Sequence, residues 1–194
     1  MSNIGAVILA AGESSRLGQP KQLVQFRGKS LARRAVDAAT KAGCSPITIV
    51  LGSDSKKIED ELAGTGVAMV ENENWRAGIG TSIRAGVQNL LSQASNLEAI
   101  VLLVCDQPFV DARVIKGLVE LRQKTNKSIV ASAYSGTLGV PALFDGSCFQ
   151  ELLALGNDTS AKSIILSKRE RVAEFRFPEG TIDIDTTADL EKHK

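Results

Sequence analysis

The feature that most constrains the fold of this sequence is a regular alternation of short apolar runs with amphipathic stretches. Five runs have the length of a β-strand and are apolar almost throughout, at 5–11, 46–52, 66–71, 99–106 and 128–134. Apolar runs without polar alternation indicate strands that are covered on both faces, as in a parallel sheet. The stretches between them have helical spacing, and two of them end at Gly43 and Gly64. This order predicts an α/β fold, with a doubly wound, mostly parallel sheet, helices on both faces and right-handed crossovers.

The chain after the fifth run has weaker patterns. The segment 133–144, AYSGTLGVPALF, is rich in turn residues and predicts a loop over one face of the sheet. Helices are expected around 147–155 and 159–168, and short strands around 171–176 and 181–185. Because the chain has 194 residues and shows no repeat or linker, we predict a single domain spanning 1–194.

The composition argues against several kinds of protein. The formal net charge is +1, which does not suit a broad nucleic-acid surface. No apolar run approaches the roughly 20 residues that a membrane-spanning helix needs. No basic region precedes the first apolar run, so we expect no signal peptide and a cytoplasmic location. The three cysteines are far apart and form no CxxC motif, as is typical of reduced thiols.

The histidine content limits the chemistry. The only histidine is His193, in a charged tail. Nucleophile systems such as Ser-His-Asp or Cys-His need a positioned imidazole, which this chain is not expected to supply. Catalysis would therefore depend on carboxylates, lysine, backbone amides or a metal ion.

The first candidate site is the loop after the first strand, in VILAAGESSRLGQPKQL at 7–23. Gly12 would let backbone N–H groups approach a phosphate without a Cβ in the way. Arg16 and Lys21 would supply positive charge, Arg16 as a fork and Lys21 as a point charge. These residues indicate a polyanion site, although the same composition also fits an exposed loop with solvated cations.

Two common phosphate motifs are incomplete in this chain. FRGKS at 26–30 contains the G-K-S of a Walker A loop, but Leu23 stands where that motif needs its first glycine. Residues 28–30 are instead predicted to form a turn and a helix N-cap. The dinucleotide fingerprint fails as well, because Ile83 stands where its third glycine belongs.

Three aspartates form the second candidate site. Asp106 follows an apolar run directly, at the strand end where ligands bind in such sheets, whereas Asp111 suits the N-cap of the next helix. Asp183 and Asp185 are two residues apart in an alternating stretch, which places them on one face. Such an all-oxygen set suits Mg²⁺. In the alternative interpretation, one of the last two aspartates only caps the final helix, a role that Thr186 or Thr187 also fits.

The motifs of this chain resemble, in their order, those of the molybdenum cofactor nucleotidyltransferases, the MobA-like NTP transferases. The motifs are VILAAGESSRLGQPKQLV, GIGTSIRAGV, VCDQPFV, GVPALF and DIDTTADL, and together they span nearly the whole chain. The cytidylyltransferase branch is the most similar. Two departures are Thr187, where the family often has proline, and Thr81, where serine is usual. The resemblance implies a Rossmann-like nucleotidyltransferase fold.

The resemblance also implies a role for particular residues. The catalytic residues would be Lys21, Arg16 and Asp106, with Lys21 at the α-phosphate. The nucleotide would be bound by Ala10, Ala11, Gly12, Ser14, Ser15, Gly80, Ser82 and Arg84. The Mg²⁺ ligands would be Asp106, Asp183 and Asp185. The acceptor pocket would be shaped by Gly139, Val140 and Pro141.

The activity that the resemblance implies is Mg²⁺-dependent transfer of CMP from CTP to the phosphate of molybdopterin, with release of pyrophosphate. CTP and molybdopterin would be the substrates, and a molybdoenzyme or its chaperone a further partner. Three alternatives remain at this point. They are guanylyl transfer to the same cofactor, nucleotidyl transfer to a sugar 1-phosphate, and a non-catalytic module that carries the cofactor to a molybdoenzyme.

Overall fold

A computed structural model describes residues 3–13 and 17–193 of the chain. Its main sheet has seven strands in the order β5-β4-β1-β6-β8-β7-β9. They are β1 (Ile4–Ala10), β4 (Ile47–Leu51), β5 (Ala68–Glu71), β6 (Ala99–Val104), β7 (Ile129–Tyr134), β8 (Thr137–Asp145) and β9 (Val172–Arg176). A separate two-stranded hairpin consists of β2 (Gln25–Phe26) and β3 (Lys29–Ser30). Only β8 runs antiparallel to its neighbours in the main sheet of the described chain.

Helices cover both faces of the main sheet. They are α1 (Leu31–Ala42), α2 (Ser55–Glu61), α3 (Ile79–Gln93), α4 (Ala112–Thr125), α5 (Phe149–Leu153), α6 (Ala161–Ser167) and α7 (Thr187–His193). Strand β1 shows the two layers, because Ala6 and Ile8 pack with α1, α2 and α4, whereas Val7 and Leu9 pack with α3, α5 and α6. The prediction of a doubly wound, mostly parallel sheet is therefore confirmed. None of the helices in the described ranges is long and apolar enough to cross a membrane.

Local signals set the ends of α1. The Ser30 hydroxyl accepts a hydrogen bond from the Arg33 N–H at 3.1 Å and caps the helix, as the turn-and-cap interpretation of residues 28–30 predicted. Gly43 ends α1 in the left-handed region, with φ of 87°. The same sequence logic holds at α4, where Asp111 accepts from the N–H groups of Arg113 and Val114.

The prediction of a loop at 133–144 is wrong, because most of this segment forms β8. Its turn-type residues occupy a β-bulge. Ala142 pairs with Ala131 and Gly139 pairs with Ser132, so that Val140 and Pro141 bulge between them. A bulge is one of the few places in a sheet where the missing N–H of a proline is tolerated.

The prediction of a strand at 181–185 is also wrong. Pro178–Thr181 forms a 3-10 turn, and the following residues are extended but pair with no strand of the described sheet. The Ile184 N–H instead donates to the Asp106 carbonyl at 2.9 Å. This bond brings the C-terminal aspartates to the carboxyl end of β6.

Candidate active site

The candidate site is a cavity of about 250 Å³ at the carboxyl ends of β1 and β6. Strand β1 has β4 and then β5 on one side, and it has β6 on the other side. The strand order therefore reverses at β1, and open α/β sheets bind ligands at such a switch point. It is lined by Leu9, Ala10, Ala11, Gly12, Lys21, Gln22, Trp75, Ile79, Ser82, Val104, Cys105 and Asp106. Six of the residues predicted from the sequence therefore line one cavity.

Lys21 is the charged centre of this site. Its Nζ donates to Asp106 Oδ2 at 2.5 Å and to Asp185 Oδ1 at 3.2 Å, and its side chain is 18% exposed. Burial opposes the charge on the ammonium group, but the attraction of Asp106 and the hydrogen bond to it outweigh burial and raise the pKa of Lys21. Lys21 therefore carries its charge at any physiological pH.

Gln22 fixes the loop that follows β1. Its Nε2 donates to the Ala10 carbonyl at 2.6 Å and to the Gly12 carbonyl at 3.0 Å. The residue is fully buried next to Lys21, in the 3-10 turn Lys21–Leu23. One side chain thus holds the backbone of Ala10 to Gly12 in place relative to Lys21. This role of Gln22 was not predicted from the sequence.

Two hydrogen bonds connect the chain around Asp183 and Asp185 to the residues that follow β6. One is the backbone bond from Ile184 to Asp106, and the other is the Gln107 Nε2, which donates to the Gly180 carbonyl at 2.8 Å. Ile184 is fully buried between the two aspartates. The pairing of Asp185 with Lys21 places the end of the chain at the same charged centre as Asp106.

The carboxylates concentrate negative charge at this edge of the sheet. Desolvation by the surrounding protein, followed by the charges of Asp106 and Asp185, raises the pKa of Asp183 to about 6, although Lys21 acts in the opposite direction. One ammonium group therefore does not offset all the negative charge present.

Asp183 and Asp185 do not cap the last helix. Thr186 precedes α7 and its hydroxyl accepts from the Asp189 N–H at 3.2 Å, while the Asp189 carboxylate accepts from the Thr186 N–H at 2.8 Å. This reciprocal arrangement resembles a capping box, with Asp in place of Glu. The predicted cap at Thr186 is therefore confirmed, and neither of the two upstream aspartates is used as the helix cap.

The donor atoms suit Mg²⁺, which prefers carboxylate oxygens and needs few protein ligands. Among the described residues, however, no group of three or more His, Cys, Asp or Glu side chains is arranged to hold a metal ion. Lys21 lies against two of the carboxylates that were predicted as ligands. The metal role of Asp106, Asp183 and Asp185 stays a prediction.

The start of α3 forms the opposite wall of the cavity. Ser82 lines the cavity, and its hydroxyl accepts from Asn72 Nδ2 at 2.9 Å. The same amide donates to the Thr81 hydroxyl at 2.8 Å. Both hydroxyl groups are buried, so Asn72 fixes the first turn of the helix beside the cavity.

Gly80 and Arg84 do not line this cavity. The Gly80 N–H donates to the Asn157 carbonyl at 2.8 Å, and the Arg84 guanidinium donates to the Leu155 carbonyl and, at 2.7 Å, to Asn157 Oδ1. Arg84 is thus partly buried and hydrogen-bonded to the protein. Both residues fasten the segment 155–157 to α3, and their contact with a nucleotide stays a prediction.

The close approach at Gly80 leads to a stability prediction. A Cβ at this position would lie 1.9 Å from the Gly156 carbonyl oxygen, a backbone atom that cannot turn aside. We expect Gly80→Ala to lower the free energy of unfolding by about 1–3 kcal/mol, as overpacking does. Urea unfolding measures this change. Gly146→Ala is the matched control, since its Cβ would meet its nearest atom at 3.9 Å, and an equal loss in both variants would contradict the explanation.

The predicted acceptor residues Gly139, Val140 and Pro141 lie in the bulge of β8. The Tyr134 hydroxyl donates to the Val140 carbonyl at 3.0 Å, and a Cβ on Gly139 would meet that hydroxyl at 2.3 Å. Burial, together with the negative charge of nearby Asp183, raises the pKa of Tyr134. The bulge therefore lies at the same end of the sheet as the carboxylates.

Two apolar residues of the cavity, Trp75 and Ile79, were not predicted from the sequence. Trp75 is half-buried, and Ile79 is 43% exposed, which is unusual for a large aliphatic side chain. An apolar wall of this kind suits the flat face of a nucleobase. Its signal was available, because Trp75 is the only tryptophan and stands just before GIGTS. The predicted contacts Ser14, Ser15 and Arg16 lie outside the described residues.

The fold is shared with a nucleotidyl transferase from Methanothermobacter, which superimposes with a TM-score of 0.79 at 22% sequence identity over 97% of this chain and 94% of that one. Rv0371c from Mycobacterium tuberculosis superimposes with a TM-score of 0.83 at 27% sequence identity, over 98% of this chain and 97% of that one. A second crystal structure, of Rv0371c in complex with manganese, has a TM-score of 0.80 at 26% identity and covers 99% of this chain and 98% of that one.

The sequence comparisons give the family. Residues 6–172 match the MobA-like NTP transferase domain, and the chain belongs to this family. It is 26% identical over 191 residues to the molybdenum cofactor cytidylyltransferase of Escherichia coli, covering 98% of this chain and 95% of that protein. It is 31% identical over 134 residues to a probable molybdenum cofactor guanylyltransferase of Opitutus terrae, covering 68% of this chain and 62% of that protein.

Proposed function

We propose that this nucleotidyltransferase moves the CMP moiety of CTP to the phosphate of molybdopterin and releases pyrophosphate. The observation that carries the proposal is the ammonium of Lys21 held between Asp106 and Asp185 at the mouth of the cavity between β1 and β6. Negative charge is redistributed over the phosphate oxygens during the transfer. A permanent positive charge, beside carboxylates that would hold a cation, can stabilise it.

The reaction requires no strong base. An oxygen of the acceptor phosphate, already anionic near neutral pH, forms a bond to the α-phosphorus of CTP while the bond between the α-phosphorus and the bridging oxygen breaks, and pyrophosphate leaves. No histidine lines the described cavity, which is consistent with this route. The chain contributes mainly positioning and charge.

Each part of the site has a place in this reaction. The backbone of Ala10 to Gly12, fixed by Gln22, cradles the phosphates, and Lys21 stabilises charge that develops at the α-phosphate. Trp75 and Ile79 form the apolar wall for the base. The bulge of β8 faces the acceptor.

A divalent cation would be held by Asp106, Asp183 and Asp185 and would supply charge neutralisation for the phosphates. Mg²⁺ is the proposed ion, and the manganese complex of the M. tuberculosis relative supports a divalent cation at this fold. Lys21 contacts Oδ2 of Asp106 and Oδ1 of Asp185, and each carboxylate has a second oxygen, so one carboxylate can contact both the lysine and a cation.

Two observations support the choice of CTP. The cytidylyltransferase of E. coli matches almost the full length of the chain, and the motifs of the chain resemble those of the cytidylyltransferase branch. The guanylyl branch usually has glycine at the position of Ala11 and aspartate at that of Pro20. Ala11 is buried and lines the cavity, so its methyl group would crowd a purine more than a pyrimidine if the base packs there. Guanylyl transfer, as in the shorter match to the O. terrae protein, is the second candidate.

The test is a set of incubations with each of CTP, GTP, ATP and UTP, together with Mg²⁺ and molybdopterin. Released pyrophosphate is measured, and the product is identified by mass. We expect a cytosine dinucleotide of molybdopterin as the main product. If pyrophosphate were released only with a sugar 1-phosphate, molybdopterin would be the wrong acceptor and the sugar 1-phosphate the right one. Binding of molybdopterin without turnover would instead favour a carrier module.

Base choice has its own prediction. Replacing Ala11 with Gly and Pro20 with Asp together should raise the ratio of kcat/KM for GTP to kcat/KM for CTP. The preference should shift only partly, because the wall that the start of α3 forms is unchanged. The measurement is the same assay with both nucleotides in one reaction. Unchanged preference in the double variant would reject this account of base selection, while the assignment to nucleotidyl transfer would stand.

A further inference from the structure

A second cavity lies outside the candidate active site, between the β2–β3 hairpin, α1 and the start of α4. Its volume is about 220 Å³. Its charged lining residues are Arg27, Lys29, Arg34, Lys41, Asp37 and Asp111. Cations outnumber carboxylates in this lining, and none of these residues lines the cavity between β1 and β6.

Two guanidinium groups are brought together in this cavity. Arg27 and Arg34 each lie 5.1 Å from the centre of the Phe26 ring, and Arg27 is also 5.4 Å from the centre of the Phe109 ring. Burial and the nearby charge of Arg27 lower the pKa of Arg34, although Asp111 and Asp37 oppose this effect. The rings hold the like charges in place, and an anion between them would relieve their repulsion.

The two carboxylates of this lining are occupied by other groups. Asp37 accepts a hydrogen bond from Lys29 and lies 3.8 Å from Arg33. Asp111 caps α4 and binds the guanidinium of Arg113, with Nη2 at 2.8 Å from Oδ2. Asp37 therefore compensates Lys29, a cation of the same lining, and neither carboxylate forms an ion pair with Arg27, Arg34 or Lys41 among the described residues.

The remaining cations have little to compensate them. Arg34 donates from Nη2 to the Pro108 carbonyl at 2.8 Å, and its Nε is buried without a hydrogen-bond partner. Across the described ranges, no carboxylate lies within ion-pair distance of Arg27, Arg34 or Lys41. The side chains of Arg27 and Lys41 are exposed, so a ligand from solution can reach them.

We propose that this cavity binds a small multivalent phosphate anion, such as inorganic phosphate or pyrophosphate, between Arg27, Arg34 and Lys41. Guanidinium groups present paired N–H donors that match phosphate oxygens, and the ammonium of Lys41 adds a point charge. The concave shape favours a compact anion over an extended acidic chain.

The experiment titrates pyrophosphate, and separately phosphate, into the full chain by calorimetry at low salt and without divalent metal. The background carries Lys21→Ala, which removes the charge of Lys21 from the candidate active site. In this background we expect saturable binding. Adding Arg27→Gln and Lys41→Gln should raise the dissociation constant at least about tenfold, through loss of two charged contacts.

The matched control adds Lys56→Gln and Lys57→Gln to the same background. These lysines of α2 have exposed side chains, so the control removes the same net charge from another surface. We expect it to leave the dissociation constant within about twofold. Equal weakening by both pairs of substitutions would overturn the proposal, and so would an absence of binding up to roughly 10 mM anion.

Discussion

Lys21→Ala is expected to lower kcat by about 30- to 1,000-fold, which corresponds to roughly 2–4 kcal/mol of lost transition-state stabilisation. The physical reason is that Lys21, in its proposed role, would place a permanent charge where negative charge develops at the α-phosphate. Its contacts with Asp106 and Asp185 hold it at the mouth of the cavity before any nucleotide binds. We expect KM for CTP to change much less than kcat, and steady-state release of pyrophosphate measures both.

Two further variants make this result specific. Lys21→Met keeps the length of the side chain without its charge and should be as impaired as the alanine variant. Lys56→Ala removes a lysine whose side chain is 80% exposed and should keep the wild-type kcat. If Lys21→Ala raised KM and left kcat intact, Lys21 would be an anchor for the ground state, and its catalytic role would be wrong.

The fold was largely predictable because its central strands are buried on both faces. The central strands read as continuous apolar runs, and β1 places Ala6 and Ile8 in one apolar layer and Val7 and Leu9 in the other. Helix ends were equally readable, since the Ser30 cap and Gly43 act through contacts within a few residues. Such local causes are visible in one sequence.

Strand β8 was missed because its stability has a non-local origin. Its turn-type residues Gly139 and Pro141 fit a bulge that exists only when β7 and β6 lie on either side. The Ser132 hydroxyl donates to the Pro141 carbonyl at 2.6 Å across the bulge. Nothing within the segment itself distinguishes this pairing from a loop.

The candidate site was predictable in its location more than in its contacts. The ends of parallel strands meet at one edge, so Lys21 and Asp106 could be expected near each other although 85 positions separate them. Their direct ion pair, and that of Lys21 with Asp185 across 164 positions, depends on side-chain packing that spacing does not encode. Gln22 was overlooked for the same reason, since its hydrogen bonds go to a loop ten to twelve positions earlier.

Asp106→Asn is expected to abolish most turnover, with kcat lowered by about 1,000-fold or more. The substitution removes the charge that would hold the divalent cation, and it also removes the charge that faces Lys21, whose Nζ lies 2.5 Å from Asp106 Oδ2. The fold should survive, because the link to Ile184 uses the backbone carbonyl of residue 106 and asparagine has nearly the same shape as aspartate. Pyrophosphate release across a range of Mg²⁺ and Mn²⁺ concentrations, with circular dichroism on the same samples, checks both statements.

Asp111→Asn is the matched control for this variant, since it removes the same charge five residues further on. Asp111 caps α4 and pairs with Arg113, and asparagine is an equally good N-cap, so we expect nearly wild-type kcat and a small loss of stability. If Asp106→Asn kept the wild-type kcat at low Mg²⁺, Asp106 would be removed from both the metal site and the mechanism. If high Mg²⁺ restored its activity, Asp106 would contribute to metal affinity alone, with Asp183 and Asp185 left to position the ion, and the predicted catalytic role of Asp106 would have to be withdrawn.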